Sequence, residues 1–475
     1  MPFQKNTLIY FSLTLIAIAL FVIWRWADIG LPYYWDELGV YAPSALYLLD
    51  NGISMMPSAL DPEFSRGHPM LCAFLYSCWM KIFGVKLTTV HLFSLIISLS
   101  TVLVTFLFGK EKNNARTGFW AASLLLVQPV FMAQSMMVLP EMMLAFFLIL
   151  AVYFAHKKWW IAYFMSAALA ILTKETGIVL PVALMASTVL MSFGEKREFN
   201  LVKRLSIFGA PLLVFVLFLI VQRIQNGWFL FPYHTDLMSF APIEIWARFK
   251  QLMVFLFWKQ GRFIWPILLM FHWLNFQHKK QKKEDDTVET TFTMGLGLSF
   301  GPFSLYLLGF VAFFALNFLT ERYTLLFFPI LCILLAEILE RIGTAAWGIW
   351  GILLFLAFTN MNQVDFSYDY DMNYKKVIAI QQETTQFMDA QNWEEEKMYV
   401  AFPIYMCLYD TRMGYTNKEY SNFIGHYTDS CQIVVSCKPG SYSNRFNQSL
   451  DQFDVMWKKN GLLNTTIYSK IIDDG

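Results

Sequence analysis

The chain has 475 residues, of which 57% are hydrophobic, 18% aromatic and only 15% charged, and its mean hydropathy is +0.45. A soluble domain usually carries about 25% charged residues, so this chain cannot cover a globular surface of its size, and lipid is the expected solvent for much of it. The net charge of +1 gives no reason to expect a nucleic-acid partner. The sequence also lacks a nucleotide-binding glycine motif and a paired CxxC zinc motif.

Apolar stretches near the length of a membrane span recur along the chain, since a spanning helix needs about 17–20 apolar residues. We predict eleven transmembrane helices, near residues 8–26, 88–108, 117–132, 139–155, 159–173, 177–193, 205–222, 263–277, 297–319, 322–339 and 343–359. The first stretch is longer than a signal-peptide core, and no small-residue cleavage site follows it, so we expect it to be retained. The predicted fold class is a polytopic α-helical membrane protein.

Basic residues predict the orientation of these helices, because they concentrate in cytoplasmic loops. Alternate loops read GKEKNNAR, HKK, EKREFNLVKR, HKKQKKEDD and ERIG, whereas the intervening loops carry single basic residues. The N-terminus is therefore expected in the cytoplasm. With an odd number of spans the C-terminus is expected on the other side of the membrane, in the periplasm if the cell is bacterial. We call that side the outer face.

Two long connections on the outer face, near 27–86 and 223–262, are not simple loops. The segments PSALYLLDNG, MLCAFLYSCWMKIFG and IEIWARFKQLMVFLFW have helical apolar spacing but carry polar residues. They are predicted to be amphipathic helices that lie in the membrane interface.

The composition changes near Asn360, where charged and amide residues become common. We therefore divide the chain into a membrane domain, 1–359, and a small extracytoplasmic α/β domain, 360–475. NYKKVIAIQQETTQFMDA is predicted as a helix, and KMYVAF and CQIVVSC as strands. Cys431 and Cys437 could form a disulfide in an oxidising compartment. This domain carries no catalytic motif, and we interpret it as a lid or an acceptor-docking module.

Charged and polar side chains collect at the outer ends of predicted helices that are far apart in the sequence. They are Asp36 and Glu37 after the first span, Arg66 and His68 in the following connection, Glu141 at the start of the fourth span, Lys174 at the end of the fifth, and Arg322 and Tyr323 at the start of the tenth. Carboxylates together with separate cations suit a site that handles a phosphate and a proton at the membrane surface.

Each of these residues also has a simpler interpretation. Asp36 and Glu37 could be solvated, an acid such as Glu141 in the first turn of a helix gains about 0.3–1 kcal/mol from the helix dipole, and Lys174 and Arg322 could be snorkelling anchors. Their coincidence on one face favours a site. The acids leave a divalent metal open, but no His/Cys spacing supports zinc, and we expect no cofactor to be required.

Five segments, in this order, resemble the protein O-mannosyltransferase-type branch of the GT-C glycosyltransferases (family 39 type), which includes bacterial lipid A aminoarabinose transferases. They are YYWDELGVYAPSALYLLDNG, GHPMLCAFLYSCWMKIFG, AQSMMVLPEMMLAFF, ILTKETGIVLP and ERYTLLFFPIL. The resemblance covers about residues 8–340 and excludes the C-terminal domain. It implies an outer-face active site that takes a sugar from a polyprenyl-phosphate carrier, usually with inversion of the anomeric centre.

The resemblance also implies roles for individual residues. Asp36 matches the family's catalytic acid, and we predict that it is the general base, with Glu37 as the neighbour that shapes the site. Glu141 matches a second acidic position, and Lys174 and Arg322 match basic positions near the carrier phosphate. Where many relatives have a basic residue and two prolines, this sequence has GHPM. The resemblance therefore does not by itself establish Arg66 and His68 as phosphate ligands.

Two other classes of function compete with a transferase. A transporter or flippase of lipid-linked sugars would place ionisable residues near the bilayer midplane and often contains repeated halves, neither of which this sequence indicates. A membrane scaffold would leave the outer-face charges unexplained. The expected partners of a transferase are a polyprenyl-phosphate-linked sugar donor, membrane lipid, and a glycan, lipid or protein acceptor. The sequence names neither the sugar nor the acceptor.

Overall fold

A computed structural model describes residues 5–192, 200–271, 274, 301–362, 368–439, 450 and 452–470. Within these ranges the chain forms a helical bundle followed by a small mixed sheet, which confirms the predicted fold class. The bundle helices are α1 (Lys5–Arg25), α2 (Ala42–Asn51), α3 (Pro62–Ser65), α4 (Leu71–Phe83), α5 (Leu87–Lys112), α6 (Ala115–Leu126), α7 (Pro129–Gln134), α8 (Pro140–His156), α9 (Trp160–Thr173), α10 (Val179–Ser192), α11 (Leu201–Gly209), α12 (Leu212–Asn226), α13 (Pro232–Asp236), α14 (Pro242–Phe257), α15 (Gly301–Leu316), α16 (Phe328–Ile342) and α17 (Ala346–Thr359).

Helices that could cross a membrane are fewer in the described residues than the eleven predicted. Five runs are long and apolar enough, or up to six if the bent pair α11–α12 counts as one span; the five are Asn6–Asp28, Leu87–Lys112, Pro140–Lys157, Glu175–Ser192 and Phe328–Thr359. Other predicted spans are shorter helices, such as Trp160–Thr173 and Ser304–Leu316. The stretch predicted at 117–132 is divided into α6 and α7 because Pro129 starts a new helix. The total number of spans stays a prediction.

The run Phe328–Thr359 contains two helices that reverse direction at Gly343. The φ of Gly343 is +85°, a left-handed conformation that glycine adopts without steric cost. Arg116, at the start of α6, donates to Glu340 near the end of α16 (Nε to Oε2, 2.8 Å). Trp350 of α17 then donates to Ser123, further along α6 (2.9 Å). The hairpin predicted around ERIG is therefore present.

Three of the predicted basic loops meet at one end of the bundle. Lys157, after α8, pairs with Glu111 at the end of α5 (2.6 Å). The contact between Arg116 and Glu340 joins the α5–α6 and α16–α17 turns at the same end. Half of EKREFNLVKR and all of HKKQKKEDD lie outside the described residues. We call the opposite end, where the charged residues below collect, the site end.

The two long connections contain short helices, as predicted for amphipathic segments. The first holds α2, α3 and α4, and the second holds α13 and α14. Exposed apolar side chains recur along the second connection, including Phe240, Ile243 and Trp246. This pattern suits helices that lie at a membrane surface.

The C-terminal part is a small α/β unit. Its helices are α18 (Tyr374–Gln391) and α19 (Ile404–Cys407), and its strands are β1 (Met398–Val400), β2 (Phe423–Ile424), β3 (Ile433–Pro439), β4 (Phe453–Lys459) and β5 (Leu463–Lys470). The strand order is β2-β1-β3-β5-β4, with β1 parallel to β2 and β3, and β5 antiparallel to β3 and β4. The predicted helix and two predicted strands correspond to α18, β1 and β3. Cys431 and Cys437 are buried free thiols, so the structure does not contain the disulfide considered from the sequence.

The C-terminal unit packs on the segment between α1 and α2. The Tyr33 N–H donates to the carbonyl of Met413 (3.3 Å), and the Tyr415 hydroxyl donates to the carbonyl of Tyr33 (2.8 Å). Arg412 donates through both terminal nitrogens to the carboxylate of Asp50 (3.1 and 2.8 Å). The unit is therefore joined to both sides of the first acidic pair.

Candidate active site

Asp36 lies at the site end, between an extended segment and the π-helical turn Glu37–Tyr41. Its Oδ2 accepts a hydrogen bond from Nη2 of Arg322 (2.6 Å), and its Oδ1 lies 4.0 Å from Nη2 of Arg66. The preceding residue, Trp35, has a φ of +53°, which is strained for a bulky side chain. Such strain is typical of functional sites, and here it turns the chain just before the carboxylate.

Arg322 is the centre of the charged cluster. It lies on the 3₁₀ turn Glu321–Leu326, directly before α16, and its side chain is 6% exposed. One terminal nitrogen contacts Asp36, the other contacts Asp369, and Nε lies 3.6 Å from Oε1 of Glu141. Three elements far apart in sequence thus supply carboxylates to one guanidinium.

A second ion pair lies beside this cluster. Lys174, at the end of α9, donates to Oε1 of Glu141 in the first turn of α8 (2.9 Å). Its ammonium lies 4.2 Å from the ring centroid of Tyr323, a cation–π distance. The Tyr323 ring stacks on Phe314 (5.5 Å, 17°). The second carboxylate oxygen of Glu141 is buried and has no hydrogen-bond partner among the described residues.

The charges of this cluster are set by burial and by the neighbouring ions. Burial would raise the pKa of Asp36, but the positive charges of Arg322 and Arg66 outweigh it, and the pKa is lowered from its ordinary value. Burial would lower the pKa of Lys174, but the charge of Glu141 raises it. Both groups are therefore charged at neutral pH. For Asp369, burial dominates and raises the pKa to about 6.

Arg66 is the most open cation of the cluster, with 39% of its side chain exposed, against 5% for Lys174. Arg66 and Gly67 have φ values of +48° and +65°. Gln222 donates to the carbonyl of Gly67 (3.0 Å), and a Cβ on Gly67 would lie 2.5 Å from Cβ of Phe231. The loop is thus held by α12 and by the second long connection, and it presents Arg66 toward Asp36.

A cavity of about 80 Å³ opens beside the cluster. Charged and polar side chains line one part of it, among them Glu141, Lys174 and Thr176. Aromatic rings, including Phe314 and Tyr323, line another part. The Thr176 hydroxyl is buried without a partner among the described residues. A cavity with unpaired oxygens and aromatic walls can accept a small polar ligand with an apolar face.

His68 faces the cavity rather than the Asp36 carboxylate. Its Nδ1 lies 2.8 Å from Oε2 of Glu175, and its ring lies 4.8 Å from that of His234. One ligand atom from each of these three residues lies within 4.8 Å of the others. Two imidazoles and a carboxylate form a donor set that zinc accepts. Burial and the charge of His68 lower the pKa of His234 to about 4, so its ring is neutral at pH 7.

Glu37 points away from Asp36 into the protein. Its Oε1 accepts from the backbone N–H of Val138 (2.6 Å) and lies 3.2 Å from Nε2 of His91, and its Oε2 accepts from the N–H of Tyr34 (3.1 Å). Nδ1 of His91 faces the carbonyl of Ile29 (2.9 Å) and must donate to it. The carboxylate thus joins its own segment to α5 and to the segment before α8, which is an arrangement that positions the turn carrying Asp36.

The structure brings together the predicted residues Asp36, Arg66, Glu141, Lys174, Arg322 and Tyr323, with His68 at the adjoining cavity. Sequence reasoning missed Asp369 and His234. Asp369 had a signal, because SYDYD repeats the pattern of YYWDE, with an acid among tyrosines just after an apolar helix. His234 lies in a connection interpreted only as an interfacial segment.

Comparisons with known proteins relate the fold, and part of the sequence, to those of sugar transferases. Residues 67–222 match the family model of the dolichyl-phosphate-mannose-protein mannosyltransferases. An uncharacterized protein from Aquifex aeolicus is 26% identical over 225 residues, and the match spans 45% of this chain and 42% of that protein.

Solved structures with the same fold cover nearly the whole chain. ArnT from Cupriavidus metallidurans bound to undecaprenyl phosphate has a TM-score of 0.56 at 14% identity, with 97% of this chain and 98% of that chain covered. The apo state of ArnT gives 0.60 at 13%, with 96% and 97% covered. The Archaeoglobus fulgidus oligosaccharyltransferase, in a complex with Zn and sulfate, gives 0.52 at 16%, with 86% and 58% covered. The chain has the GT-C-like fold of these structures, and the helices that could span a membrane are those of a multi-pass membrane protein.

Proposed function

From this fold and this site, we propose that the protein transfers a sugar from a polyprenyl-phosphate carrier to an acceptor hydroxyl or amine at the outer face of the membrane. The observation that carries the proposal is Asp36, an ionised carboxylate held by Arg322 next to the open cation Arg66, at one end of an apolar bundle. The undecaprenyl phosphate bound by the structurally similar ArnT supports the carrier class.

Asp36 is the general base of the proposed reaction. The acceptor oxygen or nitrogen attacks the anomeric carbon, the bond from that carbon to the phosphate oxygen breaks, and the proton of the acceptor passes to the Asp36 carboxylate. A base in hydrogen-bond reach contributes about 10²–10⁴-fold. Attack from the face opposite the phosphate inverts the anomeric centre.

The leaving polyprenyl phosphate gains negative charge as the glycosidic bond breaks. Arg66 is open to solvent and is the first cation that the phosphate meets. Arg322 is more deeply buried, and its charge is shared among carboxylates. Preorganised cations stabilise such charge strongly in a site that excludes water. When it binds, the phosphate takes the place of some of the carboxylate contacts that Arg66 and Arg322 make in its absence.

The cavity beside the cluster is the proposed sugar pocket. Glu141 offers a carboxylate oxygen and Thr176 a hydroxyl that are both unpaired among the described residues, and both can bind sugar hydroxyls or an amino group. The stacked rings of Phe314 and Tyr323 face the same cavity and can cover the apolar side of a sugar ring. His68, Glu175 and His234 would hold a divalent cation in this cavity, where it would neutralise negative charge, and no step above depends on it.

The proposal is tested with purified protein in lipid nanodiscs and a panel of labelled polyprenyl-phosphate sugars. Envelope glycans, lipids and proteins are supplied as acceptors. The expected result is free polyprenyl phosphate together with a labelled acceptor, and little of either with Asp36→Asn. Asp454→Asn is the control, because this acid is exposed on β4, outside the cluster.

The same protein in sealed vesicles distinguishes the competing class of function. A flippase would move the intact donor across the bilayer without releasing polyprenyl phosphate. Donor that crosses unchanged, with no glycosylated acceptor in any panel, would overturn the proposal. Equal transfer by wild type and Asp36→Asn would move the base to another residue.

A further inference from the structure

We propose that Asp369 is a positioning residue of this site, which fixes the guanidinium of Arg322 and thereby sets how strongly Arg322 holds Asp36. The inference rests on the proposed function, in which Asp36 is the base. Asp369 follows the last apolar helix and precedes α18, so it connects the bundle and the C-terminal unit. None of the sequence motifs above includes it.

The geometry gives Asp369 control over the direction of Arg322. Asp369 is buried and contacts Nη1 of Arg322, while Nη2 of the same group donates to Asp36 (2.6 Å). A guanidinium is planar with its donors in a rigid fork, so a contact at one terminal nitrogen fixes where the other points. Without Asp369, the fork is free to turn toward Asp36 and pair with it through both nitrogens.

The charge of Asp369 also competes with Asp36 for the same cation. The groups that face Asp369 are Arg322, Asp36, Glu141 and Tyr34, from three different elements. While Asp369 is ionised, Arg322 divides its charge among carboxylates. When Asp369 is neutral, Arg322 holds Asp36 more strongly, and a carboxylate so held is a weaker base.

This arrangement makes activity depend on pH in two steps. Burial raises the pKa of Asp369 to about 6, against the opposing charge of Arg322. As pH falls through about 6, Asp369 takes up a proton and Asp36 becomes a weaker base. A second loss follows at lower pH, where Asp36 itself protonates, because its pKa is lowered from the ordinary value.

The test is the pH dependence of turnover for Asp369→Asn, which keeps the shape of the side chain and removes its charge. We expect kcat at pH 8 to fall about three- to tenfold, well short of the about 10²–10⁴-fold loss for removing a base. The step near pH 6 should be absent, because the variant is neutral at every pH. The KM for the donor should stay within about twofold. Asp369→Glu should restore the step in part.

Asp389→Asn is the matched control, since its carboxylate accepts from the Thr416 hydroxyl (2.7 Å) and the Tyr420 hydroxyl (2.9 Å) inside the C-terminal unit. It should lower the melting temperature and leave the pH profile unchanged. An identical profile in wild type and Asp369→Asn would overturn the positioning role and leave the proposed transfer standing. Absence of transfer by wild type and control alike would overturn both proposals.

Discussion

At the scale of single residues, Asp36 and Glu37 are neighbours in the chain with different surroundings. Asp36 is 21% exposed beside two arginines, whereas Glu37 is buried and holds backbone N–H groups. We predict that Asp36→Asn lowers kcat by about 10²–10⁴-fold with little effect on melting. Glu37→Gln should instead destabilise the fold by about 1–3 kcal/mol, because its amide places a donor against donors. Turnover at saturating donor and thermal melts measure both.

The reverse outcome would exchange the two roles. If Glu37→Gln abolished turnover without a change in melting temperature, Glu37 would act directly in the reaction. If Asp36→Asn retained turnover within a few-fold of wild type, Glu141 would be the next candidate for the base, because its Oε2 has no partner in the part of the chain that the structure describes and Glu141 lines the cavity.

Lys174 and Glu141 provide a second prediction, because they form a buried pair (2.9 Å). Lys174→Met leaves the Glu141 carboxylate without its main partner, and we expect a loss of about 3–5 kcal/mol in unfolding free energy. The double variant Lys174→Met/Glu141→Gln removes both charges and should recover most of that loss. Melting curves of the single and double variants test this.

The double variant also separates stability from function. If the pair belongs to the donor site, the double variant should remain poorly active although it is stable, with a raised KM for the donor. A stable double variant with wild-type KM and kcat would reduce Lys174 and Glu141 to a structural pair.

Residue types alone predicted much of the charged cluster but not its internal pairing. Asp36, Glu141, Lys174 and Arg322 stood out because ionisable groups are costly next to lipid. Asp369 did not, because it lies where the composition has already become polar. The direction of Glu37 depends on the π-helical turn that starts at this residue, and a local spacing rule does not reveal such a turn.

At the scale of elements, the loop around Gly67 supports a third prediction. Gly67→Ala adds a Cβ at 2.5 Å from Cβ of Phe231, in a residue with φ of +65°. Because Arg66 is the adjacent residue, displacement of this loop should raise the donor KM several-fold. Gly227→Ala is the control, since its φ is +81° and nothing lies within 4 Å of the added Cβ. Gly227→Ala should have the same kind of backbone cost as Gly67→Ala, about 1–2 kcal/mol, but without a steric clash of the added Cβ.

Measured donor KM values for both variants show whether the position of the loop around Arg66 affects donor binding. Equal KM changes in Gly67→Ala and Gly227→Ala would attribute the effect to backbone strain alone. An unchanged KM in Gly67→Ala would mean that the position of Arg66 does not matter to the carrier.

Element boundaries were predicted well where composition or a glycine marks them. The predicted helix NYKKVIAIQQETTQFMDA corresponds to Tyr374–Gln391, and the turn at ERIG corresponds to Gly343. Lengths of the apolar helices were predicted less well, because a hydrophobic run of 16 residues can be one helix or two. Pro129 divides the stretch 117–132 into two helices in this way. A hydropathy average over the stretch does not show this division. Strand β5 was missed because most residues of Leu463–Lys470 are polar, a composition that resembles an exposed loop.

At the scale of the whole molecule, the C-terminal unit is built into the site. It contacts Tyr33 through Tyr415 and Asp50 through Arg412, and the segment before it supplies Asp369 to Arg322. Lys375 adds an ion pair with Asp28 at the end of α1 (3.0 Å). Movement of the unit would therefore change the position of Asp36 and of the groups that contact it.

The last prediction concerns the side of the membrane on which each end of the molecule lies. Basic loops meet at the end that carries Lys157 and Arg116, and the positive-inside rule places that end in the cytoplasm. We expect an impermeant thiol reagent to label Asp454→Cys in intact cells and to label Lys158→Cys only after the cells are opened. Both positions are exposed.

The native cysteines should contribute little background labelling to this measurement. Five of the six are buried and Cys78 is partly exposed, so a Cys78→Ser background removes the main competing thiol. Labelling of Lys158→Cys but not Asp454→Cys in intact cells would reverse the orientation. Asp36, Arg66 and Arg322 would then face the cytoplasm, and a donor whose sugar is presented on the outer face could not reach them. The proposed carrier and acceptor would have to be sought on the cytoplasmic side.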